Sequence, residues 1–206
     1  MKILFLNGSP KHSGSASERL IAALSLRFEN DATTLRAMGA DGKDFIEKIA
    51  GVDALVIVFP IYVDGLPSHL LHLLYEAKDK IKSINPNVKV YGVANCGFYE
   101  GRQNALALEM LQHFCTAAGI QWGQGLGVGA GGMTGAVSVS VGAGPLKSFG
   151  LALDKLAASI QNGASGEDFF VEPNFPKFLY KLGGHSGWKR QGKDNGLKPR
   201  ALYRRW

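Results

Sequence analysis

Apolar and polar positions in this chain fall into blocks with two different periods. Continuous apolar runs occur at Ile3–Leu6 and Ala54–Phe59, and a further apolar-rich run spans Lys89–Asn95. Such runs read as strands buried on both faces, as in parallel sheets. Between them the apolar residues recur every three or four positions. Leu20, Ile21, Leu24 and Phe28 share one side of a predicted helix from Ala16 to Phe28, and Phe45 and Ile49 mark a shorter one from Asp44 to Ala50. Pro67 suits a first helical turn, since its missing N–H would be unpaired there, and that helix is predicted to run to Lys82. Further helices are predicted over Arg102–Ala118, with Leu106, Met110, Phe114 and Ala117 or Ala118 along one side, and over Leu146–Gln161. Ala32–Arg36 reads as an edge strand and Ile120–Gly129 as a glycine-interrupted fifth strand, followed by a glycine-rich loop to Pro145.

Strand and helix therefore alternate five times. That order predicts an α/β three-layer sandwich, a parallel five-stranded sheet with helices on both faces. The flavodoxin-like strand order 2-1-3-4-5 fits five strands better than an eight-stranded barrel does. The predicted domain covers residues 1–165, and residues 166–206 form a basic, aromatic-containing extension. In such sheets ligands bind beyond the carboxyl ends of the strands, where the strand order reverses. That rule selects three loops: Ser9–Ser17, Pro60–Leu66 and Cys96–Arg102.

Composition refines this picture at a few points. A chain of 206 residues with 46% hydrophobic and 19% charged residues can bury a substantial core. The net charge of +6 is uneven. Residues 175–206 hold nine Lys/Arg against Asp194, or +8, so the rest carries 6 − 8 = −2. A general nucleic-acid-binding reading of the body thus loses its main support. Cys96 and Cys115 form no C-x-x-C and no disulfide framework, which fits a reducing compartment. The apolar run after Lys2 is too short for a signal peptide, so a cytoplasmic location is expected.

The first selected loop, Asn7-Gly8-Ser9-Pro10-Lys11-His12-Ser13-Gly14-Ser15-Ala16-Ser17, joins a strand to a helix start and carries four serine hydroxyls and a lysine. Unpaired helix-start amides and the positive end of the helix dipole favour a phosphate there. The alternative is purely structural: Ser15 with Glu18 makes a capping box. The loop has neither the G-x-G-x-x-G nor the P-loop signature. The other two loops supply what a flavin mononucleotide (FMN) ring would need. Pro60-Ile61-Tyr62 offers a flat apolar wall, Asn95 to Glu100 offers a glycine and two aromatics, and Met133 has a thioether to cover a ring edge. Tyr62 and Phe98 could equally close the top of the core. His12 reads as a solvated loop residue. His69 and His72, three apart on one helix, lack a third metal ligand in the sequence, so no metal is expected.

Gly8-Ser9-Pro10-Lys11 followed by Ser15-x-Ser17-x-x-Leu20 resembles the N-terminal motif of the NAD(P)H-dependent FMN reductase families of flavodoxin-like fold. Pro60-x-Tyr62 with Pro67 ahead of a helix is similar to their second motif, and Cys96-Gly97-Phe98-Tyr99-Glu100 to a third loop of flavodoxin-family oxidoreductases. The resemblance spans about residues 1–162. It implies that Ser9, Lys11, Ser15 and Ser17, with Ala16 between them, surround an FMN phosphate. It implies that Pro60, Ile61, Tyr62 and Val63 line the ring from one side, and Asn95, Cys96, Gly97, Phe98 and Tyr99 its other edge. The chain departs from the pattern at Lys11-His12, where many relatives have Arg or another polar residue, and at Ala16, where many have Asn. The implied activity is an FMN-dependent oxidoreductase that takes a hydride from NADPH or NADH and passes electrons to a small-molecule acceptor: a quinone, flavin, nitro or azo compound or metal ion. No catalytic side chain is required, because the flavin carries the chemistry. A homodimer or higher homo-oligomer is expected by analogy. The alternatives are a flavodoxin-like electron carrier and a flavodoxin-like interaction module without FMN. The basic tail has three readings: an extension that docks its aromatics, a lid over the flavin, and, least favoured, a contact to nucleic acid or anionic membrane.

Overall fold

The computed structural model describes residues 1–28 and 32–203. It comprises two units, residues 1–173 and 174–206.

The first unit is built on strands β1 (Ile3–Asn7), β2 (Ala32–Arg36), β3 (Ala54–Pro60), β4 (Lys89–Asn95), β5 (Gln121–Val128) and β6 (Phe169–Val171). All pairings are parallel, in the order β2-β1-β3-β4-β5-β6. The fold is flavodoxin-like, with the predicted 2-1-3-4-5 order extended by one strand. The helices between the strands are α1 (Ala16–Ser25), α2 (Gly42–Ile49), α3 (Ser68–Ile84), α4 (Ala105–Ala118), the single turn α5 (Met133–Ala136) and α6 (Lys147–Gln161). β1 and β3 are buried along almost their whole length, which accounts for their unbroken apolar runs. The sheet and the inner faces of α2, α3 and α4 enclose a core centred on Leu6, Phe45, Ile57, Leu74 and Leu111.

Three expectations need correction. The sheet has six strands, not five. β6 is only three residues long, and its recruitment rests on the residue before it: the Asp168 carboxylate accepts hydrogen bonds from Gly125 N (2.7 Å), Gln112 Nε2 (2.9 Å) and Trp122 Nε1 (3.2 Å). Gly127 leaves room for the Phe170 ring, which a Cβ there would approach to 2.5 Å. In consequence the first unit runs on to Pro173 instead of ending at residue 165. The side of α4 expected to face inward does so only in part: Met110 and Phe114 are half-buried against the core. Leu106 is exposed, and the buried positions are Ala107, Leu108, Leu111, Cys115 and Ala118. Gly101–Asn104 form a 3-10 turn before the α-helix, which offsets the face from the one that periodicity counted from Arg102 selects.

In the second unit, α7 (Lys177–Asp194) contains Gly183, Gly184, Gly187 and Gly192, and most of its residues are exposed. The His185 ring meets Trp188 edge-on at 5.8 Å, and Leu202 packs on Gly192. Arg204, Arg205 and Trp206 of the aromatic, basic tail lie outside the described residues. Among the described residues no helix is long and apolar enough to cross a membrane.

Candidate functional site

Register brings three strand ends level. Asn7 pairs with Val58 across β1 and β3, and Pro60 with Asn95 across β3 and β4. The loops leaving these ends converge on one open cleft of about 220 Å³.

The first loop is closely tied. Ser9 N donates to Asn7 Oδ1 (3.0 Å) and Lys11 N to Ser9 Oγ (3.3 Å), which folds the chain back over the end of β1. Ser15 caps α1, its Oγ accepting from Glu18 N (3.0 Å), while the Glu18 carboxylate accepts from Gly14 N (2.6 Å). The capping role is therefore real. It still leaves the amides of Ala16 and Ser17, in the first helical turn, without carbonyl partners in their own helix. From β2, Arg36 donates to the main-chain carbonyls of Lys11 and His12 and holds the loop from outside.

The second loop is a tight turn. Tyr62 N donates to Gly65 O (3.0 Å) and Gly65 N to Tyr62 O (3.1 Å). Both central residues have positive φ, Val63 at 48° and Asp64 at 61°. This matches a type I′ turn, built here without glycine or asparagine at its centre. A β-branched residue at positive φ is strained. Val63 stands at the tip, fully exposed, and Tyr62 is half exposed.

The third loop is anchored by two buried asparagines. Asn95 Nδ2 donates to Ser17 Oγ (3.0 Å) and to Phe59 O (2.8 Å), so one side chain joins the ends of β3 and β4 to the start of α1. Asn104 Nδ2 donates to Gly101 O (2.8 Å), Val128 O (3.3 Å) and the Cys96 sulfur (3.4 Å). Burial pushes the Cys96 thiol pKa up, against smaller opposing effects of hydrogen bonds at Phe98, Asn104 and Ala130. The thiol also lies within reach of the carbonyls of Phe98, Glu100 and Val128. This is a packed thiol, not an exposed nucleophile.

Of the residues proposed from sequence, those of the first loop (Ser9, Lys11, Ser15, Ala16, Ser17), Pro60, Ile61 and Tyr62 of the second, and Asn95, Cys96 and Gly97 of the third all line this cleft. Three do not. Val63 is carried to the tip of the turn by the positive φ values. Phe98 is more than half exposed beyond the lining. Tyr99 turns towards the edge of the sheet, its hydroxyl donating to Pro173 O (3.4 Å). Met133 is buried in α5 and is not part of the lining either. His72 pairs with Glu76 (3.3 Å) on the surface. His69 sits beside the Gly8 carbonyl, with its pKa lowered by burial and its buried Nε2 without a hydrogen-bond partner among the described residues. Among the described residues no three His, Cys, Asp or Glu are grouped to hold a metal.

Sequence reasoning missed Gly132, which faces the cleft from the glycine-rich loop, and Arg36. Arg36 ends an edge strand 25 residues from Lys11, and nothing local marks it as a loop clamp. At one end of the cleft the donors are three serine hydroxyls, an ammonium and helix-start amides, a set suited to a phosphate dianion. At the other end Pro60, Ile61 and Tyr62 form an apolar wall, and Gly97 and Gly132 leave open space where side chains would stand. The residues present fit a ligand with a phosphate at one end and a flat ring at the other.

No protein-family model and no curated protein sequence matches the chain. Solved structures do resemble it in fold. An NADH:FMN oxidoreductase in its apo form superposes with a TM-score of 0.59 at 16% identity, over 81% of this chain and 91% of that one. An FMN-dependent NADH-azoreductase from Bacillus anthracis in complex with FMN gives 0.54 at 12%, over 80% and 99%. A flavodoxin from Streptococcus pneumoniae gives 0.54 at 14%, over 79% and 99%.

Proposed function

We propose that the protein is an FMN-dependent NAD(P)H oxidoreductase that passes electrons to a small acceptor. The observation that carries this reading is the convergence of three strand-end loops on one cleft, with phosphate donors at one end and an apolar wall at the other. The likeness in fold to proteins named for FMN chemistry supports it. FMN, when bound, supplies the hydride and electron chemistry itself. Lys11, the hydroxyls of Ser9, Ser15 and Ser17 and the amides of Ala16 and Ser17 would hold its phosphate. Pro60, Ile61 and Tyr62 would cover one face of the ring. Asn95, through its bond to the Ser17 hydroxyl, positions the cradle. Gly97, with open space at its Cα, leaves the approach to the ring clear for a nicotinamide or an acceptor.

The experiment is direct. Purified protein should be yellow or become so with FMN, heating should release FMN, and NADH or NADPH without oxygen should bleach it. A protein that cannot be reconstituted with FMN refutes the proposal. A yellow protein that neither nucleotide bleaches is an electron carrier instead. Lys11→Ala with Ser17→Ala should raise the FMN Kd about ten- to a hundred-fold, the size of one to two lost charge-assisted hydrogen bonds.

A further inference from the structure

The cleft does not end at the start of α1. A second cavity, of about 330 Å³, opens between the Lys11–Arg19 stretch and the turn at Gly132–Ala136. Lys11, Ala16 and Gly132 line both spaces, so the two adjoin at the position assigned to the phosphate. The second cavity faces two cations, Lys11 and Arg19, and its remaining walls are Gly, Ala and Thr. Among the described residues neither cation lies within 4.0 Å of a carboxylate. The nearby Glu18 carboxylate is engaged by the Gly14 amide.

Arg19 is set in place. Its Nη1 donates to Gly14 O (2.7 Å), and the guanidinium lies against Gly135, where a Cβ would come within 2.6 Å of Nη1. A guanidinium has five N–H donors in a planar fork matched to phosphate oxygens. One is spent on Gly14, which leaves donors for a ligand. The body carries −2 overall, so this pair of cations is a local feature and not part of a general basic surface. A single phosphate at the α1 amides would use Lys11 and leave Arg19 across the neighbouring cavity.

We propose that this cavity is a subsite for a second phosphoryl group, carried either by the flavin as a dinucleotide or by the nicotinamide nucleotide. The proposal rests on the flavin reading of the adjoining cleft. A diphosphate separates its two phosphorus atoms by one bridging oxygen. A flavin with its first phosphoryl at the α1 amides would therefore present the second towards Lys11 and Arg19.

Equilibrium binding tests it. FMN and FAD are titrated into the flavin-free protein by quenching of flavin fluorescence, and NADP⁺ into the FMN-loaded protein by calorimetry. The variants are Arg19→Gln and Gly135→Ala; the second keeps the charge but displaces the guanidinium. In both variants the Kd for FAD or for NADP⁺ should rise about tenfold or more, while that for FMN stays within about threefold. Selective weakening of FAD assigns the subsite to the flavin, and selective weakening of NADP⁺ assigns it to the nicotinamide nucleotide. Parallel weakening of all three ligands would mean that Arg19 only braces the first loop, and overturns the subsite. No change in FAD or NADP⁺ binding overturns it as well. If the wild type binds neither flavin, the oxidoreductase reading fails and the subsite with it. If it binds FMN and the variants do not discriminate, the subsite fails alone.

Discussion

Asn95 and Asn85 form a matched pair for substitution. Each is a buried asparagine whose Nδ2 donates twice: Asn95 to Ser17 Oγ and Phe59 O, Asn85 to Ile49 O (2.9 Å) and Val52 O (2.7 Å). They stand at opposite ends of the sheet. Asn95 closes β4 at the cleft, whereas Asn85 follows α3 and reaches Val52 just ahead of β3. Truncation to alanine removes two hydrogen bonds in either case, each worth about 1 kcal/mol net, so each variant should lose about 2 kcal/mol. For a body of this size that is a fall in Tm of about 4–8 °C. The variants should part company on ligand binding. Asn95→Ala releases Ser17 and the start of α1 and should weaken FMN about tenfold or more, while Asn85→Ala keeps the Kd within about twofold. Scanning calorimetry gives the stabilities, and fluorescence titration well below both transitions gives the affinities. Equal weakening of FMN by both variants would show that binding follows global stability. Wild-type affinity in Asn95→Ala would show that the latch has no part in the cradle.

Other predictions test separate features. Burial lowers the His69 pKa below 6.5, so between the lowered value and 6.5 the unfolded chain binds more protons than the folded one. Stability should therefore fall as pH drops below 6.5, and His69→Asn should flatten that dependence in urea unfolding at pH 7.5 and 5.5. Cys96 is buried with its pKa raised, so a folded-state titration with a thiol reagent at pH 8 should leave it unmodified until denaturant is added. Gly129→Ala would put a Cβ 2.1 Å from Tyr99 O and 2.6 Å from Gly101 N, both main-chain atoms. It should cost about 3 kcal/mol or more, read as a shifted urea midpoint. Val63→Asn, at φ 48°, should stabilise by about 1 kcal/mol, since asparagine tolerates that backbone better than valine; an unchanged Tm would mean the turn holds no strain.

The long-buried strands were legible because burial on both faces writes itself into consecutive residues. β2 and β4 end where their sequence limits predict. β6 was not legible, because three residues cannot establish a period and its anchor, Asp168, acts through partners 43 to 56 positions away. α7 gave no stripe of apolar residues, since glycines and exposed aromatics occupy its length. At the cleft, Ser9, Ser15 and Ser17 could be found from their place between a strand and a helix. Arg36 and Gly132 could not, because Arg36 clamps the first loop from an edge strand and Gly132 lines the cleft from a glycine-rich turn, and neither local pattern speaks of a ligand. The place of Val63 was not legible for a different reason: only the dihedral angles, not the residue types, show it at the tip of the turn, off the lining.

β6 also sets an order of assembly. Gly129 N donates to Val171 O (2.9 Å), Gly101 N to the Glu172 carboxylate (2.9 Å) and the Ser148 hydroxyl to Glu172 O. These bonds tether the back of the third loop and the glycine-rich turn to residues made after α6. During synthesis at about 5–20 residues per second, β1 to β5 can emerge and pair while that wall is still untied. Until residue 172 clears the ribosome, β5 is an open edge with unpaired main-chain groups. A nascent chain stalled after α6 should thus be prone to strand pairing with its neighbours, and the last few residues of the body serve as its built-in protection against aggregation.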